Sequence, residues 1–67
     1  MNTITANGKQ FTVDKLITLE KFLTQHKLDK RWVVVELNGQ PLGRDYFPVT
    51  TLKHGDKLEI VTPIAGG

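Results

Sequence analysis

Residues 3–23, TITANGKQFTVDKLITLEKFL, decide the fold, because they join a compact hairpin to a single amphipathic helix. In the first half, Ile4, Phe11 and Val13 fall on one face of two short strands, following the two-residue period of a β-strand. The intervening Asn7-Gly8 pair suits the positive φ angles of a type I′ turn. This half therefore predicts an antiparallel hairpin with one face towards a core.

The second half of the stretch predicts one helix of about two to three turns. Thr18 can cap the free backbone N–H groups of the first turn, and Glu20 lies near the positive end of the helix. Leu19, Phe22 and Leu23 recur at helical spacing, so we expect them to form the buried face.

Residues 32–37, WVVVEL, are rich in β-branched side chains and predict a central strand. Alternation assigns Val33, Val35 and Leu37 to one face. The residues assigned to the opposite face are Trp32, Val34 and Glu36.

Two prolines, Pro41 and Pro48, bracket a stretch that we expect to be irregular or to lie at a sheet edge, because proline has no backbone donor. The apolar residues expected to give it intermittent core contacts are Leu42, Tyr46 and Phe47. After a turn at residues 53–56, residues 57–61, KLEIV, alternate cleanly and predict a further strand.

A hairpin, one helix and then further strands, all with converging apolar faces, are typical of the α+β class. The predicted fold is a ubiquitin-like β-grasp, a small mixed sheet wrapped around one helix. A crossover connection is expected to bring the last strand beside the first. We predict a β-grasp domain over residues 1–63 and a flexible Gly-Gly tail over residues 64–67.

Composition limits the classes of protein that fit this chain. Its 67 residues allow one domain and make a pocketed enzyme improbable. The chain has no cysteine, which fits a reducing compartment, and it has no signal segment and no apolar run long enough for a membrane span. We expect a cytoplasmic protein with no membrane partner. The net charge of +2 is spread along the chain, so no nucleic-acid partner is expected.

The usual catalytic groups are scarce in this sequence. It contains neither serine nor cysteine, so the common hydroxyl and thiol nucleophiles are missing, as is the serine that acyl carriers need for their prosthetic arm. His26 and His54 lie on different predicted elements without cysteine partners, and we interpret both as surface residues. We therefore predict no catalytic side chain, no metal site and no bound cofactor.

The ending Ile64-Ala65-Gly66-Gly67 is the one part of the sequence that suits a chemical role. Glycine has no Cβ, so a Gly-Gly tail can enter a channel too narrow for side chains and present its carboxylate to the active site of another protein. The tail would then be a substrate. Chance remains an alternative explanation for two terminal glycines.

The chain resembles the ThiS family of thiamin-biosynthesis sulfur carriers over essentially its whole length. The similarity lies mainly in VELNG at residues 35–39, LKHGDKLEIV at 52–61 and IAGG at 64–67, which follow the order of the family. The resemblance implies that a ubiquitin-activating-type enzyme uses ATP to adenylate the carboxylate of Gly67. A persulfide donor then supplies sulfur, and the resulting thiocarboxylate serves thiazole synthase in building the thiazole ring of thiamin.

Other residues take lesser roles from the same resemblance. Gly66 would be the unhindered neighbour of the acceptor, and Ala65 narrows the backbone angles available where some members have a third glycine. Ile64, Val61 and Val34 are candidates for an apolar surface that docks partner enzymes. The alternative is that loops of the same chain, or Trp32, cover these residues.

Three other functions stay open at this point. The chain could carry sulfur for another pathway, such as molybdopterin synthesis, or it could modify proteins through the same adenylation. The third is a β-grasp module that binds RNA or protein without acting as a carrier. The basic residues available for RNA are Lys27, Lys30, Arg31 and Arg44.

Overall fold

The computed structural model describes residues 1–63 and contains five strands, one α-helix and two 3-10 helices. The strands are β1 Asn2–Ala6, β2 Lys9–Val13, β3 Val34–Leu37, β4 Gln40–Leu42 and β5 Lys57–Val61. The α-helix, α1, spans Leu19–Gln25, and the 3-10 helices span Lys30–Trp32 and Arg44–Val49.

The predicted N-terminal hairpin is confirmed. β1 and β2 pair antiparallel, with Ile4 opposite Phe11 and Ala6 opposite Lys9. The two residues between the strands, Asn7 and Gly8, have φ angles of 51° and 79°, as a type I′ turn requires.

The five strands form one sheet in the order β2-β1-β5-β3-β4. β5 runs parallel to β1 and antiparallel to β3, so the last strand lies beside the first as expected. A mixed sheet with a single α-helix is the arrangement of the ubiquitin-like β-grasp, and the predicted α+β fold is confirmed.

The helix begins and ends as its sequence indicates. The Thr18 hydroxyl accepts a hydrogen bond from the Lys21 N–H at 3.1 Å, which caps the first turn. At the other end Lys27 has a φ of 60°, and the Leu28 N–H donates to the Leu23 carbonyl at 2.8 Å. This is a Schellman ending in which lysine occupies the position that usually belongs to glycine.

One core lies between the inner face of the sheet and the helix. Its buried residues are Ile4, Ala6, Val13, Ile17, Leu19, Phe22, Leu23, Val33, Val35, Phe47, Leu52 and Leu58. The predicted inward faces of the hairpin, the helix and β3 all contribute to it. Within residues 1–63, no helix has both the length and the apolar character that a membrane span needs.

The prediction that a strand begins at Trp32 is wrong. Residues Lys30–Trp32 form a 3-10 helix, and β3 begins at Val34. The Asp29 carboxylate caps that 3-10 helix by accepting from the Arg31 N–H at 2.9 Å. This local hydrogen bond offers the backbone an alternative to strand pairing, which strand propensity alone does not reveal.

The connection between the two prolines is more regular than predicted. β4, which contains Pro41, is a sheet edge, and the second 3-10 helix follows it. Phe47 is buried and Leu42 half-buried, but Tyr46 is 61% exposed, so its predicted core contact is wrong. Neighbouring residues of a 3-10 helix point in different directions, and only Phe47 points inwards.

Candidate functional site at the end of the last strand

The candidate site begins where β5 ends, because this strand leads to the Gly-Gly ending. β5 lies in the middle of the sheet between β1 and β3. Leu58 on its inner face is fully buried, and Ile60 is half-buried. The ending therefore follows the central strand of the sheet.

The C-terminal half of β5 is held by the side chain of Asn7. Its Nδ2 donates to the Ile60 carbonyl at 3.0 Å, and its Oδ1 accepts from the Ile60 N–H at 2.7 Å. One side chain thus bonds both backbone groups of a residue 53 positions away.

The N-terminal end of β5 is held in a related way by Asn38, the first residue of the turn between β3 and β4. Its Oδ1 accepts from the Lys57 N–H at 2.8 Å, and its backbone N–H donates to the Lys57 carbonyl at 2.7 Å. Its Nδ2 also donates to the Asp56 carboxylate at 3.0 Å. Two Asn-Gly turns therefore fix the two ends of one strand.

The outer face of the sheet carries an exposed apolar pair close to the end of β5. Val34 and Val61 are directly opposite each other in the antiparallel register of β3 and β5. They are 57% and 59% exposed, and Trp32 is itself 61% exposed. The structure thus brings together two of the three residues proposed for docking and leaves both open to solvent.

Charged residues lie beside this valine pair on the same face. Glu36 is opposite Glu59 in the next pair on this face, two residues along from the valine pair, and Lys57 precedes Glu59 by two positions. All three are exposed. An apolar centre with a charged rim is the usual composition of a protein-binding surface.

The predicted roles of Ile64, Ala65, Gly66 and Gly67 concern residues outside the described range. They stay predictions. The described residue nearest to them in the sequence is Pro63.

Neither histidine lies in a catalytic arrangement. The His26 ring packs against the rings of Phe11 and Phe22, with centroids 5.0 and 4.3 Å away. The Nδ1 of His54 accepts a hydrogen bond from the Thr3 N–H at 3.0 Å, so this ring completes the bonding of β1. Across residues 1–63, His, Asp and Glu side chains do not gather in groups of three that could hold a metal ion.

The basic residues considered for RNA binding are partly engaged within the chain. Lys30 forms an ion pair with Glu20, and Arg31 binds the Asp29 carboxylate through two of its nitrogens. Hydrogen bonds from the Arg31 side chain and backbone lower the pKa of Asp29 from 3.8 to about 2. The same contact raises the pKa of Arg31. These cations already have carboxylate partners, which weakens the case for a phosphate-binding surface.

Sequence reasoning missed what Asn7 and Asn38 do for β5. The sequence predicts a turn at Asn7-Gly8 and the end of a strand at Asn38-Gly39, but no contact from either side chain to β5. The available signal was their repetition, since asparagine tolerates positive φ and carries an amide that can bond like a peptide group. Which backbone each amide would reach depends on contacts between distant parts of the chain.

Comparison with known proteins gives consistent matches over nearly the whole chain. A model of the ThiS family matches residues 2–67. Over 65 residues the chain is 37% identical to the uncharacterized protein ycf40 of Pyropia yezoensis, covering 97% of this chain and 92% of that protein.

Two solved structures are similar in both sequence and fold. The crystal structure of the thiamine biosynthesis protein ThiS from Geobacter metallireducens has a TM-score of 0.80 and 38% identity, covering 97% of this chain and 99% of that one. A solution NMR structure of a thiamine biosynthesis protein from the same organism has a TM-score of 0.77 and 38% identity, covering 97% and 87%.

Proposed function

The chain belongs to the ThiS family, and on that premise we propose that it is a sulfur carrier of thiamin biosynthesis that holds sulfur as a thiocarboxylate on Gly67. The observation that carries this proposal is the family match, which runs from residue 2 through the two terminal glycines. The solved relatives support it because their names connect this fold and sequence with thiamine biosynthesis.

The proposed chemistry takes place in partner enzymes. A carboxylate is a poor electrophile, so a ubiquitin-activating-type enzyme first joins the Gly67 carboxylate to the α-phosphate of ATP and releases pyrophosphate. A persulfide sulfur then attacks the acyl carbon and AMP leaves. The product is an acyl disulfide that keeps the S–S bond of the persulfide. A thiol then attacks the donor sulfur of that bond, which forms a disulfide with the donor and releases the thiocarboxylate. Thiazole synthase takes up the sulfur.

In this proposal the carrier contributes its C-terminal carboxylate as the reacting group and no catalytic side chain. Gly67 and Gly66 suit a narrow channel because neither has a Cβ, and Ala65 adds only a methyl group. The chain is therefore a co-substrate in this proposal, and ATP is consumed by the partner.

Docking is proposed to use the exposed pair Val34 and Val61, together with Ile64. The valine pair is the last pair in the register of β3 and β5 before the ending, and it is open to solvent. A partner that covers it would hold the carrier by the central strand of its sheet while the ending enters the active site. Exposed apolar patches of this kind commonly mark partner surfaces.

Intact mass spectrometry tests the proposal. The chain is incubated with ATP, a cognate adenylating enzyme and a persulfide donor, and compared with a variant lacking Gly67 and a variant with one added C-terminal residue. We expect a mass increase equal to the replacement of one oxygen by sulfur in the unaltered chain only. A second incubation with thiazole synthase and its other substrates should return the original mass.

The absence of both adenylate and thiocarboxylate, with an enzyme shown to be active, would falsify the carrier function. Salt-sensitive RNA binding that survives loss of Gly67 would instead favour a binding module. A thiocarboxylate that thiazole synthase does not consume would favour a carrier for another pathway.

A further inference from the structure

The hydrogen bonds between β1 and β5 follow a parallel ladder that stops before β5 ends. The Thr5 N–H donates to the Asp56 carbonyl and the Asn7 N–H to the Leu58 carbonyl, both at 2.9 Å. In a regular parallel ladder, the Ile60 N–H would next donate to the backbone carbonyl of Asn7. That pattern is interrupted because the chain turns at Asn7, where φ is 51°.

The Asn7 side chain continues the ladder in place of the backbone. Its Oδ1 takes the bond from the Ile60 N–H at 2.7 Å, and its Nδ2 bonds the Ile60 carbonyl at 3.0 Å. The amide thus acts as one additional peptide group of β1. Its effect is to keep β5 paired on the β1 side up to Ile60, one residue before the exposed Val61.

We propose that Asn7 is a positioning residue for the reaction of the C-terminal carboxylate. It would act by fixing the backbone of β5 at Ile60, from which the residues leading to Gly67 extend. This inference rests on the proposed function, because it assigns Asn7 to the presentation of the group that is adenylated.

Asn7 would act by lowering the conformational entropy that is lost when the C-terminal carboxylate is aligned with ATP. A docked carrier must bring its carboxylate to the α-phosphate of ATP, and each loosely held residue along β5 and the ending adds conformations to be lost. Removing both bonds from Ile60 frees the side of β5 that faces β1, while the pairing with β3 up to Val61 remains. The backbone at Ile60 can then shift, which moves the starting point of the ending. Docking through Val34 and Val61 would still occur, but alignment would be slower.

Asn38 provides a matched control within the same chain. It is also the first residue of an Asn-Gly turn, its φ is 52°, and its side chain also accepts a hydrogen bond from a β5 backbone N–H. The bond is to Lys57, at the opposite end of the strand. Loss of the Asn38 amide should therefore destabilise the fold to a similar degree without loosening the end of β5.

The test compares Asn7→Gly with Asn38→Gly. Glycine adopts these positive φ angles without strain, so each substitution removes the side chain and its hydrogen bonds while the turn keeps its backbone conformation. The maximal rate of adenylation and the KM for the carrier are measured below the melting temperature of both variants. For Asn7→Gly we expect the maximal rate to fall about tenfold, with KM within about twofold of the unaltered chain. For Asn38→Gly both values should stay within about twofold, since its bonds lie away from the reacting end.

A third variant and a second measurement keep structural and functional effects apart. Asn7→Asp retains the acceptor but places an oxygen opposite the Ile60 carbonyl, so its rate should also fall. Hydrogen exchange should accelerate at the Ile60 amide in Asn7→Gly and at the Lys57 amide in Asn38→Gly.

Equal rate losses in the two glycine variants, or an unchanged rate in Asn7→Gly, would overturn the positioning role. Failure of the unaltered chain to be adenylated would overturn the proposed function, and the positioning role with it. The unaltered chain therefore tests the proposed function, and the two glycine variants test the positioning role of Asn7.

Discussion

The proposed docking surface predicts that replacing two methyl groups by hydroxyls will weaken the carrier as a substrate without weakening its fold. The change is Val34→Thr together with Val61→Thr. Threonine is nearly isosteric with valine and is also β-branched, so it keeps the strand propensity of both positions. Because both residues are more than half exposed, we expect the free energy of unfolding to change by less than about 0.5 kcal/mol.

The magnitude at the interface follows from the exposed fractions. Full burial of a valine side chain stabilises by roughly 1.5–3 kcal/mol. With 57% and 59% of the two residues still exposed, complete coverage by a partner would add roughly 1–2 kcal/mol for each. Threonine keeps one of the two methyl groups, so it loses about half of this and can bury an unpartnered hydroxyl. The double variant should therefore raise KM for the carrier by roughly 10-fold.

ATP–pyrophosphate exchange catalysed by the adenylating enzyme measures this KM directly. Val49→Thr is the matched control, since Val49 is 74% exposed but lies on the second 3-10 helix, near Leu37 at the opposite end of β3 from Val34. Its KM should stay within about twofold of the unaltered value, as for a residue outside the interface. A double variant with an unchanged KM for both adenylating enzyme and thiazole synthase would show that neither partner covers the valine pair.

Three further predictions concern stability. Leu58→Ala removes a fully buried side chain from the central strand and should lower the free energy of unfolding by roughly 3–5 kcal/mol in urea titrations, whereas the exposed Leu16→Ala should change it by less than about 0.5 kcal/mol. Lys27→Gly should raise the free energy of unfolding by about 0.5 kcal/mol, because Lys27 has a φ of 60°. Lys27→Ala should give no gain, and thermal melts of the two variants test the difference. Because the pKa of Asp29 is lowered, its carboxylate stabilises the folded state above about pH 4, and this stabilisation is lost as the pH falls towards 2. Asp29→Asn should therefore lose less stability over that interval than the unaltered chain, and parallel acid titrations of the two proteins would contradict the assignment.

Local patterns in the sequence predicted much of the fold because their causes are local. The hairpin depends on the Asn7-Gly8 turn and the helix on the Thr18 cap, and each involves residues only a few positions apart. The errors at Trp32 and Tyr46 have the same physical origin. Both residues belong to 3-10 helices, which are stabilised by short-range hydrogen bonds that compete with strand pairing or irregular structure.

The candidate site was less accessible to sequence reasoning because it is built from distant segments. Val34 and Val61 were each assigned an outward face, but their direct opposition follows from the register of β3 and β5. The bonds from Asn7 to Ile60 join the first and last strands of the sheet. The two terminal glycines themselves indicate the reacting end, whereas its chemistry is implied by resemblance to a family, and the role of Gly67 stays a prediction.

The position of β5 has a consequence for how the protein is made and degraded. This strand is the last in the sequence but lies in the middle of the sheet. A chain that stops before residue 57 would contain two separate hairpins, β1–β2 and β3–β4, and isolated hairpins are at best marginally stable in water. Folding must therefore wait until synthesis has passed β5, and a chain cut within that strand would become a substrate for proteases. The folded population is thereby expected to consist of molecules whose chain continues through Val61.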